Sequence, residues 1–140
     1  MAVKRSFTLG NKERLKSRKL VEQLFSEGKS FSSFPFRIYY WFTKPPANYS
    51  TSILQAGFGV SAKIFKKAAE RNRIKRLTKE AYRLNKADLK IALQTKEKQL
   101  IIFFIYTGKE LPNFEVATEK VIVILKKLTN ITNEIHSSNT

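Results

Sequence analysis

Lys63-Ile-Phe-Lys-Lys-Ala-Ala-Glu-Arg-Asn-Arg-Ile-Lys-Arg-Leu-Thr-Lys-Glu-Ala-Tyr-Arg-Leu-Asn-Lys86 combines the apolar spacing of a docked helix with a dense load of basic side chains. Turning about 100° per residue from Ile74, Leu77, Ala81 and Leu84 share one side, whereas Asn72, Lys75, Arg76, Lys79, Arg83 and Lys86 share the other. The first set is expected to pack and the second to meet phosphate. From Lys63 to Lys90, eleven Lys or Arg stand against Glu70, Glu80 and Asp88. A helix face that is merely solvated usually mixes signs at i, i+4. Charge this uneven repels itself unless a polyanion answers it.

Outward from this helix, both flanks read as strands. On the N-terminal side Ile53 to Val60 places Leu54, Ala56, Phe58 and Val60 on one face and Gly57 and Gly59 on the other. Glycines in a strand mark a close approach or a bulge. Before a Pro-Pro-containing loop, Lys44 to Ser52, the segment Pro35 to Phe42 alternates Phe36, Ile38, Tyr40 and Phe42 with Arg37, Tyr39 and Trp41. The first set is the expected core face. The second either packs under a neighbouring element or stacks on bases. On the C-terminal side Leu100 to Tyr106 is apolar throughout, as in a central strand covered on both faces.

Helices close both ends. Leu20, Val21, Leu24 and Phe25 recur at helical spacing from about Ser17 to Glu27, with Gly28 expected to end the helix in a left-handed conformation. Phe114, Ala117, Val121, Ile124, Leu125 and Leu128 trace the last helix, with Asn113 as its expected cap. The expected order is α-β-β-β-α-β-α, an α+β, single-domain two-layer sandwich with the basic helix crossing between strands. Residues 1–14 read as a basic flexible arm, 15–129 as one RNA-binding domain, and 130–140 as a polar disordered tail.

The chain of 140 residues carries a net charge of +16, with a sequence pI near 10.2, and has no cysteine. That charge calls for nucleic acid or an anionic membrane surface. Without cysteine there is no disulfide framework, thiolate zinc site or cysteine nucleophile. No signal peptide or membrane span is read, so the cytoplasm is the expected compartment. Bond-breaking equipment is sparse. Asp88 is the only aspartate, the glutamates are scattered among basic residues, and the one histidine, His136, falls in the expected tail. Gly57-Phe-Gly59 lacks the rest of a dinucleotide fingerprint. Chemistry is therefore expected from something the protein binds.

Glu70-Arg-Asn-Arg-Ile-Lys-Arg-Leu-Thr-Lys-Glu-Ala-Tyr82, preceded by Gly57-Phe-Gly-Val-Ser-Ala-Lys63, resembles the signature of the bacterial ribonuclease P protein subunit. The resemblance runs in order over most of the chain. It implies an accessory protein to a catalytic RNA that cleaves precursor tRNA endonucleolytically and leaves a 5′-phosphomonoester on the mature end, with Mg2+ held mainly by RNA. It also implies a left-handed crossover around the signature helix.

By the same resemblance Lys63, Lys67, Arg71, Asn72, Arg73, Lys75 and Arg76 match contacts to the catalytic RNA, and Lys79 and Arg83 extend that phosphate-facing side. Phe25, Phe36 and Tyr39 match a cleft for the precursor's single-stranded 5′ leader. Trp41 joins them as a stacking candidate, with Lys12 and Arg14 of the arm alongside. Val21 lies in that cleft as a departure, because the family pattern usually carries an aromatic there. Asn72 has both donor and acceptor, suited to reading RNA or to buttressing its neighbouring guanidiniums. The rival readings are a non-enzymatic ribosomal-type RNA-binding protein and a stand-alone nuclease.

Overall fold

The computed structural model describes residues 13–44 and 53–135. The arm up to Lys12, most of the loop after Lys44 and His136 lie outside them. The elements run α1 (Arg18–Glu27), β1 (Lys29–Ser33), β2 (Phe36–Thr43), β3 (Leu54–Val60), α2 (Ala68–Asn85), α3 (Ala87–Lys96), β4 (Gln99–Tyr106) and α4 (Phe114–Asn133).

The strands form one mixed sheet in the order β1-β2-β4-β3. β2 is antiparallel to both β1 and β4, whereas β3 runs parallel to β4. A parallel pair cannot be joined by a hairpin, so the chain crosses over between β3 and β4 through α2 and α3. The alternation in β2 holds: Phe36 and Ile38 are buried on the inner face with Leu100, Ile102 and Phe104. α2, α3 and α4 cover that face with Ile74, Tyr82, Leu89, Leu93, Val121, Ile124 and Leu128. Phe104 lies at the centre, edge-on to Phe36 and Tyr82 and stacked 5.3 Å from Phe58. Such pairs add about 0.5–1.5 kcal/mol each beyond the area they bury.

Several local expectations change. α3 is an additional helix, docked by Leu89, Ala92 and Leu93. Its end is a turn in which Glu97 adopts φ 52°, ψ 48°, with its N–H donating to Gln94 O and the Lys98 N–H donating to Leu93 O. Gly28 closes α1 in an extended conformation rather than a left-handed one. It is needed for space, since a Cβ there would sit 2.5 Å from Leu24 O and 2.8 Å from Tyr40 O. Asn113 does cap α4, its Oδ1 accepting from Val116 N at 2.8 Å. α4 continues to Asn133, with Thr132 buried and its hydroxyl donating to Leu128 O, so helix reaches beyond Asn130.

β4 is not covered on both faces to the same degree. Its inner residues are buried, but Phe103 and Ile105 on the outer face are only half-buried, because α1 crosses just part of that side. Residues 14 and 15 run beside the edge of β3 through an Arg14 to Ala56 bridge and a Leu15 N–H donated to Ala56 O at 3.0 Å. The end of the arm is thus docked, and it shields a sheet edge.

Candidate nucleic-acid interface

α2 is oriented by what precedes it. Phe65 is buried, and the half-buried Arg71 side chain turns back so that Nη1 donates to Phe65 O at 2.8 Å and Lys66 O at 2.9 Å. These bonds tie the entry strap to the first turn and leave Lys63, Lys66 and Lys67 exposed beside it. Arg71 therefore serves the fold as well as any ligand. Beyond it, Asn72, Arg73, Arg76 and Lys79 are exposed and Lys75 is half-buried.

The buried stripe of α2 is Ile74, Thr78, Ala81 and Tyr82, rotated from the expected one. Leu84 is 39% exposed, while Tyr82 is fully buried against Phe58 and Phe104. The larger aromatic wins the inward position. Burial raises the Tyr82 hydroxyl well above the ordinary tyrosine range, with the Glu13 carboxylate adding to the effect.

The same rotation overturns the reading of Lys86 as a phosphate-facing cation. It is completely buried, its Nζ 2.7 Å from Glu13 Oε1, and Lys90 reaches the same oxygen at 3.4 Å. Burial pulls the Lys86 ammonium below its usual range, opposed by the Glu13 hydrogen bond and charge. Arg83 is also partly committed, since Nε and Nη2 reach the two Glu80 oxygens at 2.8 and 2.7 Å. The Arg83 hydrogen bond holds the Glu80 carboxyl below the usual carboxylate range. The open cationic set is thus Lys63, Lys66, Lys67, Arg73, Arg76 and Lys79.

The second region is the outer face beside α1. Ser17 caps this helix by accepting from Leu20 N at 3.2 Å, and Leu24 is buried. That anchoring presents Phe25, 43% exposed, with its ring 4.7 Å from Tyr39 and 5.5 Å from Phe103. Tyr39 and Phe103 are register partners, as are Phe103 and Gly57. Val21 is half-buried on the same helix. Phe36 does not join this group. It is 1% exposed on the inner face, where strand alternation puts it, packed on Phe104 and Tyr106. Trp41 lines a different groove of about 280 Å3 with Tyr40, Ile131 and Ile135. Lys12 lies outside the described residues, whereas Arg14 is exposed at the rim.

One participant was placed on this face by the sequence without its fixed geometry, and another escaped the sequence reading. Arg37 is held on the outer face by Tyr39 Oη at 3.0 Å and by Ser30 and Ser32 Oγ at 3.3 Å, a guanidinium fixed beside the aromatic group. Strand alternation placed it there, but nothing local showed that β1 would supply two hydroxyls. Phe103 was hidden in an apolar run. Its ring lies over Gly57 and Gly59, where added Cβ atoms would approach it to 2.7 and 2.9 Å. The two glycines therefore make room for a ring. Among the described residues no three His, Cys, Asp or Glu side chains converge, and no helix is long and apolar enough to cross a membrane.

Known proteins are similar to this chain in sequence and fold. The sequence model of the family described as Ribonuclease P matches residues 9–130. The chain is similar to the ribonuclease P protein component of Porphyromonas gingivalis strain ATCC 33277, 36% identical over 134 residues that cover 95% of this chain and 93% of the relative. It is also similar to the ribonuclease P protein component of Chlorobium phaeobacteroides strain DSM 266, 29% identical over 121 residues covering 81% and 83%. Among solved structures, the RNase P protein from Thermotoga maritima superposes with a TM-score of 0.58 at 30% identity, covering 82% of this chain and 96% of that one. The Staphylococcus aureus RNase P protein gives 0.57 over 82% and 94%, at 19% identity, and bears on the fold alone.

Proposed function

The chain belongs to the ribonuclease P protein family, and from that membership we propose that it is the protein subunit of a ribonuclease P. In this reading it binds the catalytic RNA along the outward side of α2. It holds the single-stranded 5′ leader of precursor tRNA between α1 and the outer face of the sheet. The observation that carries the reading is a juxtaposition. Lys75 and Lys79 of the basic helix line one cleft with Phe103, whose ring belongs to the aromatic group with Phe25 and Tyr39, while Arg73 and Arg76 are exposed on the same helix.

Each part contributes what its chemistry allows. The exposed cations neutralise phosphates and release counterions, which supplies affinity without reading sequence. The aromatic group offers faces to unpaired bases, worth about 1–3 kcal/mol per stacked base whatever the base. Holding both the catalytic RNA and the leader converts an encounter of two polyanions into a positioned one. Hydrolysis of the phosphodiester is assigned to the RNA, with Mg2+ activating water and stabilising charge there. The chain's described residues do not fit a magnesium cage, so no step is routed through a protein-held ion. The cytoplasm is the compartment that goes with this role.

Titrating the protein against the catalytic RNA over a range of potassium concentrations tests the reading. Neutralising about six phosphates predicts a log–log slope of roughly −4 to −5. Affinity that hardly changes with salt would contradict it.

A further inference from the structure

At the end of the sheet where β4 stops, a cavity of about 540 Å3 opens between the β1–β2 turn, the loop after β4 and the start of α4. That volume falls within the roughly 300–1000 Å3 of sites that hold drug-sized ligands. Much of its wall is apolar, from Phe34, Pro35, Leu111, Pro112 and Val116. Phe34 stands 74% exposed, and Leu111 and Val116 are exposed with it. Apolar side chains gathered around one cavity mark a contact surface, unlike single ones scattered over a protein. The walls are fixed by bonds of their own. The Thr107 N–H and hydroxyl both donate to Pro35 O, at 2.7 and 3.0 Å, and the Tyr106 hydroxyl donates to Glu110 O at 2.6 Å. A Cβ at Gly108 would meet Tyr106 Oη at 2.6 Å, so glycine lets the loop turn closely over that ring.

What lies next to the cavity identifies its occupant. β3 and β4 run parallel and finish together, Val60 beside Tyr106, so the strap into α2 and the loop into α4 leave the sheet at the same end. The Tyr106 ring, part of the cavity wall, packs 6.1 Å from the ring of Phe65, and Phe65 belongs to the strap that carries the exposed Lys63, Lys66 and Lys67. Lys109 and Lys120 stand in the wall itself, two cations against the single carboxylate of Glu110 among its described residues. The cavity thus continues the cationic surface of the strap. Unpaired bases suit such a place, because they stack on exposed aromatic rings while cations take their phosphates.

We propose that this cavity receives one unpaired nucleotide of the catalytic RNA, its base stacked on Phe34 and its phosphate drawn by Lys109 and Lys120. The inference rests on the reading of the chain as the subunit that binds catalytic RNA along α2. It extends that surface around the end of the sheet and adds an apolar contact to one built from charge.

The test is binding of the full chain to the catalytic RNA. Phe34→Leu keeps an apolar side chain and removes the ring, whereas Phe34→Tyr keeps the ring. Phe34→Leu is expected to weaken binding about tenfold, within the range of one lost base stack, and Phe34→Tyr to bind as the parent does. Lys109→Gln is expected to make the salt dependence shallower by roughly 0.7–0.9 in the log–log slope, the share of one phosphate. Both positions are exposed, so melting temperatures should match the parent's and separate a lost contact from a lost fold.

RNA affinity unchanged by Phe34→Leu, while the parent keeps its steep salt dependence, would overturn the subsite and leave the α2 reading in place. So would equal losses in Phe34→Leu and Phe34→Tyr. Phe34→Leu that spared RNA binding but reduced a sedimentation mass above that of one chain would also overturn it, assigning the cavity to a second copy. If the parent's own affinity hardly changed with salt, the catalytic-RNA reading would fall, and the subsite with it.

Discussion

Arg71 and Arg73 stand two positions apart in the same basic motif and do different work. Arg71 donates to the carbonyls of Phe65 and Lys66, whereas Arg73 is exposed. Arg71→Ala should therefore lower stability by about 1–3 kcal/mol, while Arg73→Ala should stay within about 0.5 kcal/mol of the parent, as surface changes do. Urea denaturation of the two variants checks this, and the Arg73 variant should instead show weakened RNA binding. Glu97 is a second residue whose position defines its role. It is the one non-glycine at positive φ among the described residues, closing α3 where glycine is the usual choice. Relief of the left-handed strain should make Glu97→Gly more stable by about 1 kcal/mol, seen as a rise in melting temperature. A fall would mean that the carboxylate has a role beyond the turn.

At the level of elements, the strands were legible because alternation is a local signal. β2, β3 and β4 lie within a residue of where the pattern puts them, and the cap of α4 was readable from Asn113. β1 was not located, since Lys29–Ser33 is a short edge strand with one large apolar residue, Phe31. α3 lacks a clear apolar stripe and is held by tertiary contact with α4. The inward face of α2 differs from the one leucine spacing predicts because Tyr82 is buried where that spacing puts Leu84. The cleft itself depends on three elements meeting: Phe25 comes from α1, Tyr39 from β2 and Phe103 from β4. Tyr39→Ala should therefore weaken precursor tRNA binding by about 1–3 kcal/mol and spare mature tRNA, in parallel binding titrations. Equal losses would indicate that the sheet face had been damaged rather than a stacking surface removed.

Across the whole molecule, the contact least visible in the chain joins its start to its middle. Glu13 and Lys86 are separated by 73 positions, and no periodicity relates them. Lys86→Ala would take the 2.7 Å partner from the Glu13 carboxylate, itself mostly buried, and leave the longer 3.4 Å Lys90 contact in place. Breaking such a buried pair costs about 3–5 kcal/mol, whereas Lys90→Ala should cost less than about 1 kcal/mol, because its partly exposed ammonium adds little. Chemical denaturation of the pair of variants separates these outcomes. The contact pins residues 13–16 against β3 and so sets one wall of the cleft, which links stability to the surface offered to RNA. That surface, rather than any catalytic group of its own, is what this protein is argued to contribute. The direct measurement is 5′ cleavage of precursor tRNA at near-physiological salt and Mg2+ by catalytic RNA alone, by protein alone and by the two together. The account predicts no cleavage by protein alone and a marked gain when protein joins the RNA. Full-rate cleavage by the RNA-free protein, or RNA turnover unaltered by adding it, would contradict the account.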